Sequence, residues 1–265
     1  MTHPNLNKER KMREAFTYMF KDTMFGKKAF TYWFICFLTL LLAGALEVFK
    51  TPVATQTPTV NSVSNPFLIV LPLASILLYA ILGGYYFAGV KAIFEQKNNI
   101  VLPFINPWKN FVKGVKFGIA QSLPIIIIAT IIYIFTHPIV NVLTIYILAF
   151  NLICICTFYF IYSNAFYLLF ANEDKIFTYF RWKKVCEMLK NTNKKIYFRN
   201  LFLVLLVDIL GGLLSSLFTY IFNFLVKNTY AAWIVTSAEG ALIAGCTAFV
   251  TMYLVAKSFH TETVV

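Results

Sequence analysis

Apolar residues along this chain come in long, nearly unbroken blocks, and the polar residues gather between them. A helix that crosses a bilayer needs about 20 mostly apolar residues. Six blocks reach that length, near residues 29–49, 67–90, 115–136, 139–170, 200–226 and 230–256. The pattern predicts an all-α fold: a polytopic membrane helical bundle of about six transmembrane helices, with cytoplasmic amphipathic helices. It divides the chain into a basic amphipathic segment (1–28), one membrane domain (29–256) and a short tail (257–265).

The connections carry their own periodicity. Met12, Ala15, Phe16, Met19, Phe20 and Met24 recur at helical spacing, with Lys8, Arg10, Lys11, Arg13, Glu14 and Lys21 over much of the other face. Such a helix lies in the headgroup plane. The connection after the fourth block sets Phe177, Phe180, Val185, Met188 and Leu189 against Arg181, Lys183 and Lys190. A shorter version follows Pro107, with Trp108, Phe111 and Val115 against Lys109 and Lys113. Phe16, Phe20, Trp108, Phe177 and Phe180 are therefore the candidate interfacial residues. An amphipathic segment followed by a hairpin would then occur three times.

Charge fixes the expected orientation. Of 23 Lys and Arg residues, all but Lys50 and Lys227 fall on one side of the six blocks. Basic connections stay in the cytoplasm, which puts both the N- and C-termini there. The net charge of +12 is thus accounted for by topology. Nucleic-acid binding would want that charge clustered on a folded face with stacking aromatics, so it is excluded as a reading. Charged residues make up 13% of the chain, against about 25% in a soluble domain, so no separate soluble domain is expected. The bilayer is the implied partner, with a protein partner at the cytoplasmic face as a candidate.

Three acids fall inside the apolar blocks. Glu47 lies at the outer end of the first and can reach water, which leaves Asp208 and Glu239. Residues of this kind inside a membrane are costly and often functional. Counted from the block ends, Asp208 sits about 12 Å in from one side and Glu239 about 13 Å in from the other. A short loop joins their blocks, so the helices are expected to be antiparallel neighbours. The two carboxyls are then expected to differ in depth by only a few ångströms. Apart from Lys116 at the edge of the third block, no Lys or Arg lies inside the blocks to neutralise them. Asp208 and Glu239 form the candidate ion, proton or polar-core site; the alternative is hydrogen-bonded glue between helices. Gly211 with Ser215, Gly212 with Ser216, and Ala241 with Gly245 are small-xxx-small pairs, candidates for close helix packing. The five Cys and three His residues have no metal-ligand spacing, and no phosphate-binding or hydrolase motif occurs. No catalytic residue, metal or cofactor is expected.

Several short elements share an order with a known family: Ala15-Phe16-Thr17-Tyr18-Met19-Phe20-Lys21-Asp22, then Gly83-Gly84-Tyr85-Tyr86. Leu102-Pro103, Pro107-Trp108, Phe111 and Gly114 follow, and Asn172-Glu173-Asp174 leads to Phe177. In this order the chain resembles the prokaryotic membrane family catalogued as domain of unknown function 4013. The resemblance implies a multi-helix bundle in a prokaryotic plasma (inner) membrane, and it implies no activity. The function expected first is a membrane scaffold or interaction protein acting through its amphipathic segments. A small-solute or ion transporter using the acids comes second, and a lipid-modifying enzyme last.

Overall fold

The computed structural model describes residues 24–50, 67–95, 106–136, 142–226 and 229–259. Among these it has seven α-helices, one short 3₁₀ segment and no strand. The helices are α1 (Phe25–Lys50), α2 (Phe67–Phe94), α3 (Pro107–Thr136), α4 (Val142–Glu173), α5 (Trp182–Lys190), α6 (Lys194–Leu225) and α7 (Thr229–Lys257). The 3₁₀ segment, Ile176–Phe180, joins α4 to α5. Four helices, α1, α2, α6 and α7, are long and apolar enough to cross a membrane. Phe16 and Phe20 lie outside the described residues.

The helices outrun the apolar blocks that predict them. α6 starts at Lys194 because Asn193 caps it, its side-chain oxygen accepting from the amides of Lys195 (3.0 Å) and Ile196 (3.4 Å). α3 starts at Pro107, a residue suited to the first helical position. It then runs on to Thr136 without a break. Trp108 and Phe111 are therefore the first turns of this long helix, not a separate interfacial helix, which corrects the sequence expectation.

Glycine sets the tightest helix crossing. A Cβ on Gly84 would overlap the Asn110 backbone, and one on Gly114 would overlap the Ala80 backbone. Each overlap falls one turn along from the other on both helices, so α2 and α3 touch backbone to backbone. Small residues are what allow such an approach. α2 also packs on α1 and α7, and α7 packs on α1 and α6.

The core is concentrated at the end that carries Lys91, Lys113, Lys116 and Lys257, here the basic end. Tyr85, Phe87, Val90, Phe166, Leu168, Phe170, Met252 and Val255 are almost fully buried there. Polar side chains tie the same end together. Asn164 Nδ2 donates to Ser258 Oγ (3.3 Å), and Asn200 Nδ2 donates to the Leu254 carbonyl (3.4 Å). The Tyr197 hydroxyl donates to the Ile161 carbonyl (2.7 Å), joining α6 to α4.

Candidate functional site

The α6–α7 register decides what the two acids can do together. Asn200 reaches Leu254, a Cβ on Gly211 would meet Thr247, and one on Gly240 would meet Ser215 Oγ at 3.8 Å. By this register Asp208 is level with Thr247, and Glu239 with Ser216. Eight residues separate those levels, or about 12 Å along the axis. The structure therefore does not set the carboxyls side by side, and the expected few-ångström difference in depth is corrected. Asp208 lies near enough to Tyr86 of α2 and Tyr167 of α4 to act on both electrostatically. Asp208 itself is exposed on α6.

Glu239 is the sharper anomaly. Both of its carboxyl oxygens are buried and neither has a hydrogen-bond partner among the described residues. Beside it in sequence, Trp33 Nε1 donates to the Ala238 carbonyl (3.1 Å), and Gly240 faces Leu40. Its neighbours in sequence thus stand against α1 and α6 in an apolar span. A buried polar group left without a partner is costly, so this position is held at some expense to the fold.

The small residues divide between packing and exposure. A Cβ on Gly211 would stand 2.7 Å from Thr247 Cγ2, so Gly211 and Ser215 form the face of α6 that packs on α7. Ala241 is fully buried, and Gly245 faces Tyr32 of α1. A methyl group on Gly212 would have nothing within 4 Å of it, and Ser216 is exposed. Their expected role in packing is therefore corrected: a side chain at Gly212 would meet no helix among the described residues, and Ser216 faces outward. Angular position explains it, since each lies about 100° around the helix from its packed neighbour.

The most elaborate polar construction is the elbow formed by the end of α4, the 3₁₀ segment and α5. α4 ends at Glu173, and the next residue, Asp174, takes a left-handed backbone (φ 54°). Lys113 of α3 donates to the Ala171 carbonyl (3.1 Å), and Lys116 pairs with Asp174 (3.3 Å). Two cations thus sit at a helix C-terminus, where the exposed carbonyls favour positive charge. Glu173 binds Arg181 and Lys184 across the elbow. The hydrogen bond from Lys184, helped by Arg181, holds the Glu173 carboxyl below the usual carboxylate range against an opposing effect of burial. Burial pushes the Lys113 ammonium down to about 8; Asp174 opposes this, while Lys91, Lys109 and Lys116 add to it.

Aromatic packing locks the elbow from beneath. Tyr179 stacks on Phe166 (centroids 4.7 Å, 10°), and Trp182 meets Phe166 edge-on (4.7 Å, 89°). Trp182 also contacts Phe158 (4.7 Å), and Phe117 of α3 lies 6.4 Å from Tyr179. Val185 of α5 is fully buried, and Met188 and Leu189 pack against the core. Phe177 and Phe180 instead point outward, 65% and 42% exposed, with ring centroids 6.5 Å apart. Helical spacing puts all five apolar residues on one face, but the 3₁₀ segment and the bend at Arg181 split them. Trp108 is also exposed.

Sequence reading missed the Glu173 clasp, although Asn172-Glu173-Asp174 ahead of Arg181 and Lys184 was its visible signal. Among the described residues no three His, Cys, Asp or Glu side chains converge as a metal site would require. No protein-family model, curated protein or solved structure matches the chain. The fold therefore defines a class, an all-helical protein with four helices fit to cross a membrane, and any function rests on its own residues.

Proposed function

We propose that this chain is an integral membrane scaffold, with the elbow as its working surface. In this reading α3 and α4 also span, giving six crossings. Both termini and the basic end then face the cytoplasm of a prokaryotic cell, as the charge asymmetry favours. The resemblance to the family of unknown function 4013 agrees with such an architecture and adds no activity. The observation that carries the reading is that the elbow is pinned by Glu173 and by stacked rings, yet holds Phe177 and Phe180 outward. Rigid support beneath exposed aromatic side chains suits a contact surface. A lipid-modifying enzyme has less support, because Glu173 and Asp174 are committed to Arg181, Lys184 and Lys116.

Glu239 favours a second reading, ion or proton handling, because its buried oxygens lack partners among the described residues. It would do so without a paired Asp208. Complementation of a deletion strain separates the two readings. The scaffold reading expects Phe177→Ser/Phe180→Ser to fail at normal membrane abundance while Glu239→Gln rescues. The reverse pattern would overturn it and promote the transport reading.

A further inference from the structure

We propose that the elbow is a binding site for anionic phospholipid, with Phe177 and Phe180 entering the acyl region and the surrounding cations holding the headgroup phosphate. This names the ligand of the scaffold surface and rests on that reading for the side of the membrane it faces.

Three observations converge on it. First, the exposed pair is apolar and adjacent, the two rings lying 6.5 Å apart on a segment of five residues. Second, the charge around the pair is unbalanced. Lys175, Arg181, Lys183 and Lys184 bracket it in sequence; Glu173 pairs with two of them, Asp174 is taken by Lys116, and Glu187 is the further acid on α5, so positive charge still exceeds negative. One carboxylate facing two cations leaves Arg181 and Lys184 with positive charge to share. Lys175 and Lys183 are exposed and have no ion pair among the described residues. Third, the elbow stands at the right depth. The end of α4 is level with Lys113 and Lys116 of α3, which bind it, and these flank residue 115, where the apolar block of α3 begins.

An apolar pair ringed by cations at the boundary of a span matches a lipid that is apolar below and anionic above. A protein partner would have to supply a matching acidic rim and would gain nothing from that depth. A soluble phosphate would satisfy the cations and leave both Phe rings unused.

Native mass spectrometry of the full chain in mild detergent tests this. The probes are phosphatidylglycerol and phosphatidylcholine with the same acyl chains. Phosphatidylglycerol should form adducts selectively. Lys175→Gln/Lys183→Gln should weaken its binding roughly 25-fold, because each cation near the surface is worth about fivefold in affinity. Lys27→Gln/Lys109→Gln removes the same charge elsewhere and should change binding less than twofold. Phe177→Ser/Phe180→Ser should weaken both lipids, while glycerol phosphate in excess should not displace the phosphatidylglycerol. Equal binding of the two lipids, or equal losses in the two lysine variants, would overturn the proposal and leave the Phe pair to a protein partner. Displacement by glycerol phosphate would overturn it in favour of a soluble anion. Failure here with failed complementation by Phe177→Ser/Phe180→Ser would leave the scaffold reading standing and remove only its lipid.

Discussion

At the scale of single residues, the decisive positions are those where an atom has no room or no partner. Gly84 and Gly114 are the first kind. A methyl group at either would occupy neighbouring backbone, which cannot rotate away as a side chain can. Gly84→Ala or Gly114→Ala should cost at least about 2 kcal/mol in thermal unfolding in detergent. Gly118→Ala and Gly212→Ala are the controls: nothing lies within 4 Å of either. They should be neutral or gain up to about 1 kcal/mol from helix propensity. Equal losses at all four positions would refute the close α2–α3 approach. Lys113 is a residue whose charged form the fold disfavours, its ammonium pushed down to about 8 by burial. Between about 8 and the ordinary lysine value of about 10.4, the unfolded chain keeps a proton that the folded chain has released. Stability should therefore rise with pH across that window, and Lys113→Met should remove that share of the slope. A shallower slope in wild type than in the variant would rule out burial as the cause.

At the scale of elements, the elbow shows how far sequence pattern reaches. The amphipathic character of residues 177–190 was legible, because Val185, Met188 and Leu189 do face the core. The split between those residues and Phe177 and Phe180 was not. It depends on a 3₁₀ segment, on the bend at Arg181, and on Tyr179 and Trp182 taking the buried places. The charged partners were equally hidden, since Lys113 and Lys116 are 58 residues from the acceptors they meet on α4. Glu173 gives the elbow a testable pH dependence. Its carboxyl is held below the usual range, so its contribution is present above the unfolded carboxylate value and is lost as pH falls through the folded one. Hydrogen-exchange protection over residues 175–190, taken relative to the intrinsic rate at each pH, should fall in acid for wild type. Glu173→Gln should exchange quickly at every pH, by about tenfold over wild type near neutrality if the clasp is worth about 1.4 kcal/mol. Unchanged protection in that variant would show that the aromatic stack alone holds the elbow.

At the scale of the whole molecule, the apolar blocks made the helical class legible because a bilayer imposes length and composition directly. Four of the six blocks correspond to α1, α2, α6 and α7, the helices fit to cross a membrane. Depth was not legible in the same way. It was counted from block ends, yet α6 begins at its Asn193 cap and not at Asn200, and only side-chain packing between helices sets their register. That register is what separates Asp208 from Glu239, and crosslinking can test it in a background with the native cysteines replaced. A Cβ at Gly240 would stand 3.8 Å from Ser215 Oγ, within the spacing a disulfide needs. Ser215→Cys with Gly240→Cys should therefore form a disulfide readily on mild oxidation in membranes. Asp208→Cys with Glu239→Cys should not, because an axial offset of about 12 Å exceeds the roughly 7 Å that a disulfide can bridge. If the second pair crosslinks as well as the first, the helices sit two turns from the register described, the acids do meet, and a paired-carboxyl transport site regains its footing. If only the first pair crosslinks, any ion or proton chemistry in this bundle has to be built on Glu239 without Asp208.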